Sequence, residues 1–170
     1  MNNPRFVKQR DKYSCGYVAL INMKKAFGHR STLKDIKKYK SQLPFKEKLT
    51  SGLSFFQIEY LIKDDPILNK YFVGKIFNPK LKDLEHFSKL GCACIITTAN
   101  ERSGHYSLFL GKHSSEYALV NHFRNTTVAF VKKKKMSAIL KKKKKTPYGE
   151  EARPVWIFSM AMKDINEEDK

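Results

Sequence analysis

Residues 9–20 read QRDKYSCGYVAL, and this stretch decides how the chain is interpreted. Ser14 precedes a pattern of apolar residues at intervals of four, and Gly28 follows as a residue suited to end a helix in the left-handed conformation. The apolar positions are Ala19, Met23 and Phe27. The pattern predicts a helix over 15–27. Cys15 then lies in the first turn, where unpaired backbone N–H groups and the helix dipole stabilise a thiolate.

Two neighbours of Cys15 fit a role in nucleophilic chemistry. Gly16 has no side chain, so a substrate backbone can approach the thiol closely. When a thiol attacks an amide carbonyl, the oxygen becomes negative and needs hydrogen-bond donors. The backbone N–H of Cys15 is one expected donor. Gln9, in the loop before the helix, is the expected second.

Three further helices are expected before residue 92. One covers 32–39. The next begins at Ser54, which has the capping-box spacing to Gln57. The third follows Pro79 and ends at Gly91.

Beyond these helices the chain is rich in β-branched and aromatic residues, which favour strands. The expected strands lie at 94–98, 106–110, 117–120, 127–131 and 155–159. Helices first and strands later predict an α+β fold in which N-terminal helices pack on a C-terminal antiparallel sheet.

The second and third strands flank a short turn and read as a hairpin. A turn centred on His113 pairs His105 with Asn121 directly across the hairpin. An imidazole at His105 can take the proton of a nearby thiol, and the side-chain oxygen of Asn121 can accept the other ring N–H and fix the tautomer. A slip of one residue would place His122 opposite His105 instead.

The stretch around Cys15 resembles the N-terminal motif of the double-glycine leader peptidases, the papain-like domains of bacteriocin-exporting ABC transporters, which also have free-standing relatives. In that family a Gln stands six residues before the Cys, as here. The resemblance implies that Gln9 serves the oxyanion hole, Cys15 attacks, His105 is the base and Asn121 orients it. It extends in outline over residues 6–162.

The chain departs from the family pattern in two places. The family has Asp then Pro where this chain has Asn121 and His122. Papain itself uses Asn for the same orienting work. The lysine-rich segment at about 132–145 is absent from the family. No transporter follows within this chain, so we expect a free-standing papain-like cysteine peptidase domain over 1–170, with a short acidic tail at 164–170.

Charge indicates the type of partner. Lys and Arg number 34 against 16 Asp and Glu, a formal net charge of +18, which attracts anionic surfaces. The densest runs are Lys132 to Lys135 and Lys141 to Lys145, with either a short helix or a loop between them. Nucleic acid or an acidic protein is a possible partner for these lysines, although no aromatic residues for base stacking lie among them.

The odd number of cysteines, three, argues against a secreted disulfide scaffold and favours free thiols. Cys92 and Cys94 fall on one side of a strand and are expected in the core, since a Cys-x-Cys pair alone is a weak metal signal. No cofactor or metal is expected. The N-terminus lacks the apolar core of a signal peptide, and no apolar stretch is long enough to span a bilayer. These features predict a cytoplasmic protein.

Three functions remain open from the sequence. The first is a cysteine peptidase that hydrolyses a protein or peptide through an acyl-enzyme on Cys15. The second is deamidation or acyl transfer, because an acyl-enzyme does not dictate its acceptor. The third is a catalytically inactive papain-like module that binds nucleic acid or an acidic protein through its lysines.

Overall fold

A computed structural model describes residues 5–44, 52–99, 104–141, 145–146, 149–150 and 152–159. The helices are α1 (Cys15–Ala26), α2 (Asp35–Gln42), α3 (Phe55–Asp64), α4 (Pro66–Tyr71), α5 (Leu81–Lys89) and α6 (Lys133–Lys141). The strands are β1 (Phe72–Phe77), β2 (Cys92–Ala99), β3 (Gly104–His113), β4 (Glu116–Val120), β5 (Val128–Lys132), β6 (Lys145–Thr146), β7 (Gly149–Glu150) and β8 (Pro154–Ser159).

Six strands form one sheet in the order β1-β8-β2-β3-β4-β5, and all neighbouring strands are antiparallel. The predicted α+β class is therefore confirmed. The buried residues form two clusters. One joins the sheet to α1, α3 and α4, and the other contains residues of α5 and α6.

Successive side chains of a strand alternate between the two faces of the sheet, which explains why there are two buried clusters. Ile95 belongs to the first cluster and Ile96 to the second, because successive side chains in a strand point to opposite faces. Cys94 is fully buried in the second cluster, and the partly buried Cys92 packs against it. These two thiols have the packing role that the sequence predicts.

Local signals placed most helix ends correctly. The capping box at Ser54 and Gln57 is present, with the Ser54 side chain accepting from the Gln57 N–H and the Gln57 side chain accepting from the Ser54 N–H. Gly28 and Gly91 have φ of 82° and 77° just after α1 and α5. Both positions use the left-handed conformation that glycine adopts without strain.

Four elements were missing from the sequence prediction, namely α4, β1 and the two-residue strands β6 and β7. Asp65 ends α3 and caps the short α4, accepting from the N–H groups of Ile67 and Leu68 at 2.9 and 3.2 Å. The strand β1 follows directly and pairs with β8 at one edge of the sheet. Helix α2 begins at Asp35, three residues later than expected, because the Asp35 carboxylate accepts the N–H of Thr32 before the helix starts.

The predicted hairpin register is wrong. Phe109 pairs with Leu119, and Lys112 pairs with Tyr117. A β-bulge between Phe109 and Gly111 inserts an extra residue, and the turn is tightened by Ser114 at φ 55°. His105 lies beyond the end of the β3–β4 ladder, so it does not face Asn121 there, and it pairs with Thr98 of β2 on the other side of β3.

The lysine-rich segment forms the helix α6 after β5. Met136 and Ile139 are buried against the second cluster, while Lys133, Lys134 and Lys135 are exposed. Residues 142–144 and the acidic residues at 164–170 lie outside the described part of the chain. Within that part, no helix is both long and apolar enough to cross a bilayer.

Candidate active site

The site lies where β3 extends beyond β4. The β3–β4 ladder ends at Leu108 and Val120, so the first residues of β3 have no partner on β4 in that ladder. The chain leaves β4 at Asn121, which has a left-handed φ of 55°. The Asn121 N–H donates to the carbonyl of Thr127 at 2.7 Å and closes the turn toward β5. Because β4 ends before β3 does, the first residues of β3 are accessible to the loop that precedes α1.

The Cys15 thiol lies between the start of α1 and β3. Asp11 shapes the entry to α1, because its Oδ1 accepts the N–H groups of Tyr13 and Ser14 at 2.7 and 2.8 Å. The thiol interacts with the backbone N–H groups of Tyr106, Gly16 and Cys15 itself. It is therefore adjacent to β3, one residue along the chain from His105.

Burial decides the protonation of the thiol. Cys15 is 4% exposed, and this desolvation raises the pKa of its thiol above the usual value. The three backbone N–H groups lower the pKa without overcoming burial, and the Asp11 carboxylate adds to the rise. The lowered pKa expected from the helix N-terminus is therefore wrong for the resting site. The proton stays on the sulfur until a base removes it.

His105 is neutral in the same resting state. Burial lowers the pKa of the imidazole, and the hydrogen bond to the Asn121 backbone opposes that shift only in part. The ring Nε2 lies 2.6 Å from the carbonyl oxygen of Asn121. A carbonyl only accepts, so Nε2 carries the proton and Nδ1 is the free acceptor of the ring.

The oxygen that orients His105 is not the one expected. The sequence pointed to the side-chain oxygen of Asn121, whereas the structure uses its backbone carbonyl. The Asn121 side chain binds Gln9 instead. Its Oδ1 accepts the Gln9 N–H at 3.0 Å, and its Nδ2 donates to the Gln9 Oε1 at 3.3 Å. Asn121 thus binds His105 through its backbone carbonyl and the loop before α1 through its side chain.

The Gln9 side chain is positioned at both ends of its amide. Its Oε1 accepts from Asn121, and its Nε2 donates to the carbonyl of Asp11. A primary amide has two N–H donors, so one remains for a developing oxyanion. Gln9, His105 and Asn121 line one cleft of about 720 Å³.

The same cleft has a basic rim. The other lining residues are Lys8, Arg10, Asp11, Lys12, Thr98, His122, Phe123, Arg124 and Ile139. Cys15 is not among the lining residues, in agreement with its burial.

His122 lies near His105 and does not take its position at the Asn121 carbonyl. Its Nδ1 lies 2.9 Å from the Oγ of the fully buried Ser107. The two imidazole rings are 6.0 Å apart at 65°. Sequence reasoning treated His122 only as a competitor for the position opposite His105. The spacing of Ser107 and His122 in the sequence does not identify them as a pair.

Gly16 has a different neighbour from the one expected. A Cβ at this position would lie 2.9 Å from Cδ1 and 3.1 Å from Cβ of Leu53. Leu53 in turn accepts a hydrogen bond from the Tyr106 hydroxyl at 2.7 Å through its carbonyl. The glycine therefore allows the loop before α3 to pack on α1, and a role in substrate approach is not needed to explain it.

The fold thus places a buried thiol at the start of the first helix, beside an antiparallel strand that carries a histidine. The chain is similar in structure to the peptidase domain of Streptococcus ComA, described as a bifunctional ABC transporter involved in a quorum-sensing pathway. The match has a TM-score of 0.61 and 12% identity, and it covers 93% of this chain and all of that chain. No family model and no curated protein matches the sequence. The fold predicted from the resemblance is thereby confirmed.

Proposed function

We propose that this protein is a cysteine peptidase that hydrolyses an amide bond in a protein or peptide substrate through the thiol of Cys15. One observation carries the proposal. The sulfur contacts the backbone N–H of Tyr106, next to a histidine whose ring is fixed by the Asn121 carbonyl. A nucleophile, a base on the strand that contacts it and a group that fixes the base are the parts of a thiol hydrolase.

The chemistry begins from a neutral pair. As a substrate carbonyl approaches, His105 Nδ1 takes the thiol proton and the sulfur forms a bond to the carbonyl carbon. The imidazolium then gives this proton to the leaving amine as the C–N bond breaks. Water attacks the resulting thioester with His105 as base, and the acid product leaves with Cys15 restored to the thiol.

Two hydrogen-bond donors are suited to bind the oxyanion that forms on the substrate carbonyl. The backbone N–H of Cys15 lies at the start of α1, and the free N–H of the Gln9 amide lies in the adjoining cleft. Donors fixed in advance stabilise charge that appears only in the transition state. Thiol chemistry of this kind works where cysteines stay reduced, and we place the protein in the cytoplasm on that ground.

A Gln9→Ala change is expected to lower kcat for a peptide amide by about a hundredfold or more, on the order of 3 kcal/mol in the barrier. Gln9→Glu is the matched variant, because it keeps an acceptor for the Asn121 amide and loses the donor. Both variants are expected to slow acylation in single-turnover kinetics. A rate for Gln9→Glu equal to that of the parent protein would remove Gln9 from the oxyanion hole.

The proposal is tested with a panel of short peptide vinyl sulfones that vary in the residues before the electrophile. Attack by an oriented thiol forms a thioether, and the adduct is located by mass spectrometry of the digested protein. We expect one adduct at Cys15, none at Cys92 or Cys94, and no adduct in a His105→Ala variant. Equal labelling of all three thiols, or labelling independent of His105, would contradict the proposal.

A further inference from the structure

A second groove lies beside the candidate cleft, with a volume of about 990 Å³. It is formed by β5, the turn that precedes β5, and one side of α6. Its lining residues are Glu116, Phe123, Arg124, Asn125, Thr126, Ala129, Phe130, Val131, Lys132, Lys134, Lys135 and Ala138. The floor is largely apolar and the rim is charged.

The charge of this groove is strongly unbalanced. Four of its lining residues are cationic and one, Glu116, is acidic. The cations are Arg124, Lys132, Lys134 and Lys135, and all four are exposed. Within the described residues, none of the four forms an ion pair. Their charges are therefore available to an anionic partner from outside.

The groove is continuous with the candidate cleft. Phe123 and Arg124 line both. The Phe123 ring has the Lys135 Nζ over it at 4.5 Å from the centroid and the ring of His122 at 4.6 Å. It thus separates the histidines of the cleft from the lysines of the groove. The cleft and the groove therefore share a boundary at Phe123 and Arg124.

The groove surface favours a polypeptide over a nucleic acid. Phe130 is 55% exposed and offers apolar area to a partner. The ring of His113 already packs at 88° against Phe130, and the Lys135 ammonium covers the ring of Phe123. Bases stack on free aromatic faces. An apolar side chain instead fits an apolar floor, and carboxylates fit the surrounding cations.

We propose that this groove binds an acidic segment of the substrate polypeptide that also carries an apolar side chain, and that it holds this segment while the neighbouring bond is cleaved. The proposal names the substrate class for the site and rests on the proposed peptidase function. Binding in the groove does not need the thiol, so the two proposals fail in different experiments.

The test measures binding in full-length protein carrying Cys15→Ala, which prevents turnover. The probe is a short fluorescein-labelled peptide in which glutamates alternate with leucines, and fluorescence anisotropy gives Kd at low and at physiological salt. Replacing Lys132, Lys134 and Lys135 by Gln is expected to weaken binding roughly tenfold at low salt, since exposed charge pairs contribute modestly and additively. The difference should shrink as salt rises.

The matched control replaces Lys37, Lys70 and Lys89 by Gln, which are exposed and lie outside both cavities. It carries the same change in net charge and is expected to alter Kd by less than about twofold. Equal weakening by the two triple variants would overturn the proposal, because total charge would then explain the binding. Tighter binding of a single-stranded DNA of similar length would overturn it in favour of a nucleic-acid site.

One further measurement separates the two proposals. The groove variant with Cys15 intact is reacted with an uncharged peptide vinyl sulfone. Labelling at Cys15 is expected to be unchanged, whereas cleavage of an acidic peptide should lose roughly tenfold in kcat/KM. If Cys15 is not labelled in any variant, the peptidase function is refuted. The anisotropy measurements would still show whether the groove binds the acidic peptide.

Discussion

A Cys15→Ala variant is expected to lose turnover of any peptide substrate by a factor on the order of 10⁴ or more, because no other group then forms the acyl-enzyme. The fold should survive. Cys15 contributes one small buried side chain at the start of α1, and alanine is a good helix former there. The measurements are kcat/KM and a thermal unfolding curve for each protein.

The control for this prediction is Cys92→Ala, which removes a partly buried thiol from β2, away from the cleft. It is expected to keep nearly full activity. His105→Ala should resemble Cys15→Ala, and the double variant should be no worse than either alone, since the two residues act as a unit. Turnover retained in Cys15→Ala would contradict Cys15 as the nucleophile, whereas no turnover in any of the proteins, the parent included, would favour the catalytically inactive module that binds an anionic partner.

Sequence patterns determined the large features of this fold for physical reasons. The apolar spacing after Ser14 and the capping box at Ser54 are local signals, and local signals fix where helices begin. The strands were recognised because residues such as those at 94–98 and 155–159 are β-branched and aromatic. The helix α4 was missed because its six residues are too few to show periodicity.

The details of the site depended on features that a sequence pattern does not encode. The β3–β4 turn is centred on Ser114 and Ser115 and not on His113, because His113 pairs with Glu116, and the bulge after Phe109 shifts the register once more, so simple pairing arithmetic fails for His105 and Asn121. The two residues still meet, because the chain turns at Asn121 in a left-handed conformation and presents its carbonyl. Asn is among the few residues that adopt this conformation readily.

The protonation of the site was also hidden from the sequence. A thiol at a helix N-terminus is expected to ionise easily, yet packing leaves Cys15 almost without solvent. The effect of desolvation on the thiol pKa then outweighs the effect of the helix N-terminus. Burial is a property of the whole fold: the Tyr106 N–H of β3 contacts the Cys15 thiol, and Leu53 of the loop before α3 packs against the neighbouring Gly16.

The second large effect concerns Asp65, and we expect Asp65→Ala to lower the free energy of unfolding by about 3–5 kcal/mol. The Asp65 Oδ2 accepts from the Lys24 Nζ at 2.9 Å and from the Tyr39 hydroxyl at 2.8 Å. Both Lys24 and Asp65 are buried, with side-chain exposures of 9% and 8%. Removing the carboxylate leaves a buried cation without its counter-charge, which is the costly step. Urea unfolding at neutral pH measures the loss.

A pair of variants separates the charge from the helix cap that Asp65 also provides. Asp65→Asn keeps an oxygen for the N–H groups of α4 and loses the charge, so it should still be strongly destabilised. Adding Lys24→Met removes the unpaired cation and should recover most of the stability. Further destabilisation in the double variant would show that the ion pair itself, and not the stranded lysine, contributes the energy.

The pH dependence gives an independent check of the same residue. Burial raises the pKa of Asp65, but the hydrogen bonds from Lys24 and Tyr39 outweigh burial, and the pKa is lowered overall. A lowered pKa in the folded state contributes stability that is present above the ordinary carboxyl pKa and is lost as pH falls through the folded value. The gap in unfolding free energy between the parent protein and Asp65→Asn should therefore be full at neutral pH and narrow in acid. A gap that stays constant into acid would show that the Asp65 charge does not stabilise the packing of α1, and with it the position of Cys15.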